Sequence, residues 1–406
     1  MKNIFRPVKT GHKIRNITKI LAILAMPFIL ITLLLFYHGN YDTRIYNRIY
    51  KNFALTSKKE INALTSKKEI NCHEAESVYV YNDLGYKWTK ITCAAEFAPR
   101  DGAGALVFKD SLRLIGGWNP NDKNNFPLIC NNEVWSSANG RNWVRTKPNT
   151  FVNNKSFDSS MDWEGRHSAG YVVYNNKMWI LGGDANQGHY QSDIWNSYDG
   201  RKWELVQNTA PWSPRVLHHT LVFKDKVWVI GGQTIPQFAH ADENFYNDIW
   251  SSEDGAKWEL VNESAPFSPR GMIGGSAVFN DKIWILGGGT YDTPNTPTRE
   301  FYNDIWCSED GLKWELVNES APWTPRQYHE VAVWDNKLWV LEGYSKESGN
   351  RNDVWFSDNG RDWLELPNTP WKERHAAGVF AFKNSLWIVT GNNMESDVWK
   401  LEKMQP

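Results

Sequence analysis

Six arginines recur along the chain at intervals of roughly 50 residues: Arg100, Arg166, Arg215, Arg270, Arg326 and Arg374. A guanidinium keeps its charge and offers a planar fork of donors that matches a carboxylate. Arginines repeated at one position therefore imply one of two chemistries. Either the six converge on an anionic ligand, or each answers an acid of its own repeat. Acids do recur in step, at Asp193, Asp248, Asp304, Asp353 and Asp397. The six arginines form the candidate ligand-binding set. Histidines lie near them at His167, His218, His219, His329 and His375. Their offsets from the arginines differ, which favours ordinary strand packing over one shared metal site. There is no Cys-x-x-Cys or His-x-x-x-His spacing, no Gly-x-Ser-x-Gly, no P-loop and no dinucleotide fingerprint. No catalytic residue, metal ligand or cofactor is expected.

What positions these arginines is a repeat marked by tryptophan. Five times [Asp/Glu]-[Ile/Val]-Trp is followed eight residues on by a second Trp: Trp135/Trp143, Trp195/Trp203, Trp250/Trp258, Trp306/Trp314 and Trp355/Trp363. A Ser-x-[Asp/Asn]-Gly turn separates each pair, as in Ser252-Glu253-Asp254-Gly255. Trp399 lacks a following partner and Trp88 a preceding one. Of the 23 tryptophans, Trp118, Trp163 and Trp334 read as outside the pattern. Each unit contains four short strand-like runs bounded by Gly, Asp and Asn turns, with no room for helices. One such run is Lys282–Leu286, ending at Gly287-Gly288. A four-stranded sheet cannot cover both its faces, so such units must stack radially and close.

The double Gly at 116–117, 182–183, 231–232 and 287–288, with Asn-Asp-[Ile/Val]-Trp and the later Trp, resembles the kelch repeat. The resemblance spans about residues 78–402. It implies an all-β, six-bladed β-propeller of four-stranded antiparallel blades. The last blade takes its missing strand from around Trp88, and Val78–Asn82 adds one outer strand. In kelch proteins that bind acidic peptides, arginines at this Pro-Arg position face the channel, which favours an anionic ligand here. Pro-Arg is kept at Arg100, Arg215, Arg270 and Arg326, but Arg166 follows Gly165 and Arg374 follows Glu373. The Ser-x-Asp-Gly turn is also similar to the sialidase Asp-box, itself a structural turn.

Strand parity sorts the loops. The turns between first and second strands, and between third and fourth, are short and share one face. The other connections share the opposite face and are long: 118–132, 145–165, 233–247 and 289–302. Variable loops on a rigid face are the expected site of function.

The N-terminal part differs in kind. Residues 1–19 are basic and 20–37 apolar, long enough for a transmembrane signal anchor. Residues 38–76 read as a tether in which ALTSKKEIN at 54–62 is repeated at 63–71. The propeller occupies 77–406, placed outside the cytoplasm by the basic flank. This is the layout of a bacterial-type membrane-anchored kelch protein. Cys72 and Cys93 flank the hairpin at 78–92, which would bring them close. Net charge is near zero and no basic domain occurs, so nucleic acid is not a partner.

Function is expected from the loop face. One reading is a non-catalytic module binding a protein or a carbohydrate ligand, the ligand being anionic. The alternative is a sugar-modifying enzyme such as a sialic-acid mutarotase, since the resemblance includes secreted kelch propellers of that activity.

Overall fold

The computed structural model describes residues 79–404, apart from 82–83, 154, 185–188, 236–241, 272–274 and 294. Six antiparallel sheets follow one another. Blade 1 is Gly104–Val107, Leu112–Ile115, Val134–Ser137 and Val144–Lys147. Blade 2 is Gly170–Tyr174, Lys177–Asp184, Tyr190–Ser197 and Glu204–Gln207. Blades 3, 4 and 5 repeat the order, starting at His219, Ser276 and Glu330. Innermost strands of successive blades touch in sequence, and the sixth, Gly378–Phe382, touches the first, Gly104–Val107. The ring is therefore closed with six blades.

Closure uses both ends of the domain. Blade 6 contains Gly378–Phe382, Ser385–Val389 and Val398–Lys403, and its fourth strand is Tyr86–Thr92. Trp88 pairs with Leu401, and Lys90 with Trp399. Tyr79–Tyr81 adds a fifth, outer strand. Both features match the sequence expectation.

The burial pattern explains the repeat. Second strands are covered on both faces by neighbouring blades, so Lys226–Thr234 (KVWVIGGQT) is buried from its second residue onward. In blades 1 to 5 the fourth strands are outer edges and largely exposed, as in Glu259–Asn262 (ELVN). Apolar clusters fill each gap between blades. Between blades 3 and 4, for example, Leu221, Trp228 and Ile230 meet Phe267, Ile283 and Ile285. Second-strand tryptophans donate Nε1–H to a carbonyl five residues earlier, as Trp228 does to Phe223 at 2.8 Å. The Asp-Gly turn is fitted to this packing. Gly255 has φ +75°, and a Cβ there would lie 2.3 Å from the Trp179 ring of the preceding blade.

Trp163 departs from its expected place in an irregular loop. It is fully buried between blades 1 and 2. It stands three residues before Arg166, as Phe97, Trp212, Phe267, Trp323 and Trp371 stand before the other arginines. Each of these rings meets edge-on a Trp at the entry to a fourth strand or, for Trp88, within it. Trp163 meets Trp203 at 5.6 Å, and Trp212 meets Trp258 at 4.4 Å. The pattern escapes a search for Trp alone because Phe fills the position in two blades.

Residues 1–76, including the basic segment, the apolar run 20–37 and the tether, lie outside the described residues. Among the described residues no helix is long and apolar enough to cross a membrane. Cys93 is disulfide-bonded. Cys130 and Cys307 are buried thiols outside any disulfide, and Cys72 lies outside the described residues.

Candidate functional site

The six arginines occupy equivalent positions and all are buried, at 0–1% exposure. Each guanidinium is engaged by its own blade. Arg326 donates to both Asp353 oxygens at 2.7 Å. It also donates from Nε to the Thr324 carbonyl and from Nη1 to the Glu342 carbonyl. Arg374 grips Asp397 at 2.8 Å twice, and Arg215 grips Asp248 at 2.7 and 3.0 Å. Arg166 pairs with Asp193 and Arg270 with Asp304 in the same way. Arg100 departs from the pattern. It meets Glu133 at 2.8 Å and the Asn131 side chain at 2.9 Å. The acid two residues before Trp completes the clamp by accepting the indole N–H, as Asp353 does from Trp355 at 2.8 Å. Burial would raise the Asp353 carboxyl, but Arg326 outweighs it and holds the group below its usual range.

Of the two chemistries open to these arginines, the geometry favours local pairing. Their positional effect is on the residues that follow. In five of the blades one or both residues after the Arg line a cavity of about 600 Å³ on the loop face: Asp101, His167, Ser168, Val216, Leu217, Tyr328, His375 and Ala376. Trp118, Asp184, Tyr190, Ile235, Tyr291, Arg299, Tyr344 and Asn392 complete the lining from the connections between second and third strands and the strand ends beside them. Every blade contributes, and the cavity forms a cup at the ring's axis.

The floor is a belt of backbone hydrogen bonds from blade to blade. Leu217 N–H donates to Ser168, Ser168 to Gly102, Gly102 to Ala376 and Ala376 to Tyr328, at 2.9–3.2 Å. These residues are all left-handed, with φ of +59°, +58°, +55°, +51° and +56° respectively. Four of the five are not glycine, so the backbone holds them at some conformational cost, as functional sites often do.

The cup is aromatic and carries carboxylates. His167 stands between two acids, Nε2 4.0 Å from Asp101 and Nδ1 3.7 Å from Asp184. Burial would lower its pKa, but Asp184 and Asp101 overcome that and raise it. Asp101 is itself pushed up by burial, against the opposing pull of His167 and the Asn392 amide. His375 is pushed down to about 4, first by burial and then by His167. It lies between Tyr328 and Tyr344, with ring centroids at 5.0 and 5.8 Å. Arg299 stacks 3.9 Å above Tyr291 and is paired with Asp292. Below the cup a second cavity of about 220 Å³ runs between the innermost strands and includes His218, His219 and Glu330. Burial and Arg215 push His218 down to about 3, and burial and Arg270 push His219 to about 4. Among the described residues no group of three or more His, Cys, Asp or Glu could hold a metal ion.

Sequence reading named His167 and His375 only as packing residues and did not single out the cup aromatics. Their available signal was position: the two residues after each repeated Arg, and the bases of the long loops. Glu133 was legible as the [Asp/Glu] of the Trp motif in blade 1.

No family model matches the chain. Among curated proteins it is similar to the leucine-zipper-like transcriptional regulator 1 homolog of Drosophila melanogaster, 25% identical over 270 residues. That match covers 64% of this chain and 26% of the relative. Alpha-scruin of Limulus polyphemus is 27% identical over 294 residues, covering 70% of this chain and 29% of the relative. Kelch repeat-containing protein 2 of Saccharomyces cerevisiae is 25% identical over 219 residues, covering 48% of this chain and 23% of the relative. The chain thus spans under a third of the length of these relatives. The repeated Arg, double Gly and paired Trp, the six closed blades and these relatives identify the chain as a kelch-repeat β-propeller.

Proposed function

We propose that this propeller is a non-catalytic module that binds a protein partner through the loop-face cup. The observation that carries the reading is the cup itself, a concave aromatic and polar site built by all six blades on a rigid floor. Kelch-repeat relatives support protein interaction as the coarse role. The six arginines act as clamps that set the floor residues, and the cup lining does the contacting. The sugar-modifying alternative relied on arginines meeting a sugar carboxylate. Their engagement with acids of their own blades removes that support.

We further propose that residues 20–37 anchor the chain in a membrane with the propeller outside the cytoplasm. The apolar run after a basic flank supports this, and the disulfide at Cys93 suits an oxidising compartment.

The binding reading is tested by partner capture on the full chain, with cross-links identified by mass spectrometry. Tyr344→Ala in the cup should lose the partner. Lys226→Ala, in the short turn of the opposite face, should keep it. Equal retention by both variants would refute the cup as the binding site.

A further inference from the structure

The acids of the cup say what kind of group it takes. Resting on the reading that the cup is the recognition site, we propose that it receives a cationic side chain of the partner, a guanidinium, against Asp101 and Asp184. Asp101 is 4% exposed. Its Oδ2 accepts from the Asn392 amide at 2.9 Å. Its Oδ1 is buried with no hydrogen-bond partner. The nearest cationic atom given to it, His167 Nε2, is 4.0 Å away and too far to donate. His167 Nδ1 likewise makes no hydrogen bond, at 3.7 Å from Asp184. A buried carboxylate oxygen without a donor is a costly state. A forked donor entering beside His167 would relieve it.

Charge and shape agree. Asp101 and Asp184 both face one imidazole, so the groups around His167 are acidic on two sides. The other cation of the cup, Arg299, is already answered by Asp292. An anionic ligand would meet Asp101 and Asp184 with like charge. The flat guanidinium also suits the ring faces of Trp118, Tyr328 and Tyr344, where aromatic faces attract cations. The proposal is opposite in sign to the anion expected from the six arginines.

A proton on His167 would compete with the incoming cation. The titratable groups facing His167 are Asp101, Asp184 and His375. Removing that proton makes the cup more negative, so cation affinity should rise as pH rises through the His167 titration, which its acids hold above the usual histidine range.

The test is calorimetric titration of the full chain with three probes: N-acetyl-arginine amide, its neutral isostere N-acetyl-citrulline amide, and N-acetylneuraminic acid. The arginine probe should bind at least about tenfold tighter than citrulline, and tighter as pH rises. Asp101→Asn should weaken it about tenfold or more, with an unchanged melt. Should that variant fail to fold, the arginine-to-citrulline ratio on the unaltered chain decides alone. If citrulline or the sugar acid binds as tightly, and Tyr344→Ala still weakens it, the cationic class is overturned and the cup survives. If no probe binds, or binding is indifferent to Tyr344→Ala, both the class and the site are overturned.

Discussion

Arg270→Ala separates a structural arginine from a ligand-binding one. The side chain is 1% exposed and its donors serve four acceptors. Nη1 and Nη2 reach the two Asp304 oxygens at 2.5 and 2.8 Å. Nε reaches the Ser268 carbonyl and Nη1 the Gly287 carbonyl, both at 3.0 Å. The guanidinium also sits 4.3 Å from the Tyr302 ring. After truncation Asp304 keeps only the Trp306 indole N–H, at 2.7 Å, among these charged and ring neighbours. Asp304 is 19% exposed, and leaving so largely buried a carboxylate without its cation costs about 3–5 kcal/mol. The compact unit Cys72–Pro406 gains about 0.7 kcal/mol per kelvin of unfolding entropy, so the midpoint should fall by about 4–7 K. Scanning calorimetry measures this directly. Arg270→Ala with Asp304→Ala should recover part of the loss, because the stranded charge goes too. A single variant melting within about one degree of the unaltered protein would refute the clamp and return the arginine to the list of ligand contacts.

Other outcomes follow from the same geometry. Trp163→Ala should destabilise by about 3–5 kcal/mol, at least as much as Trp258→Ala, because Trp163 is the more buried; a milder effect in urea melts would count against its place between blades. Deleting residues 77–93 removes the strand that closes blade 6, so near-ultraviolet circular dichroism should show no native packing; a native spectrum would refute closure by that strand. Glu342, pushed up to about 8 mainly by burial, holds a proton in the folded state that the unfolded chain releases near pH 4.5. Its contribution is therefore full below about pH 4.5 and lost as pH rises toward about 8. Glu342→Gln should flatten that decline in thermal melts; an unchanged slope would exclude Glu342 as its source.

The architecture was legible because blade packing repeats its demands. Second strands must be apolar on both faces, so Lys282–Leu286 reads as one unbroken run. The Asp-Gly turn must leave space for a neighbouring indole, so Gly255 recurs in kind at Gly140, Gly311 and Gly360, while Gly200 faces Met178 and Val134 because blade 1 has no Trp there. Even the closing strand was visible, as an unmatched Trp at each end. Where the repeat relaxes, the reason is again local. In blades 5 and 6, Glu342 and Thr390 replace the first Gly of the pair at φ +55° and +50°. Glu342 accepts from Ala377 N–H at 2.8 Å, and Thr390 donates to the Arg100 carbonyl at 2.7 Å. Each substitute side chain ties its blade to the next. Blades 1 to 4 leave less space: a Cβ at Gly231 would stand 2.6 Å from the Arg270 carbonyl.

The candidate site was legible only in outline, and the cause is physical. Repetition reports what every blade needs, and a ligand needs the blades to differ. The arginines stood out because all six blades use them, yet that uniformity marks them as clamps. The residue after each clamp is not held constant: it changes from Asp101 to His167, Val216, Gly271, Gln327 and His375, and four of these six line the cup. In five blades the clamp is followed two residues on by a member of the left-handed belt, Gly102, Ser168, Leu217, Tyr328 and Ala376, and the side chains beside that belt differ from blade to blade. The anion expected from the constant residues and the cation proposed from the variable ones are therefore the two outcomes that the probe titration separates.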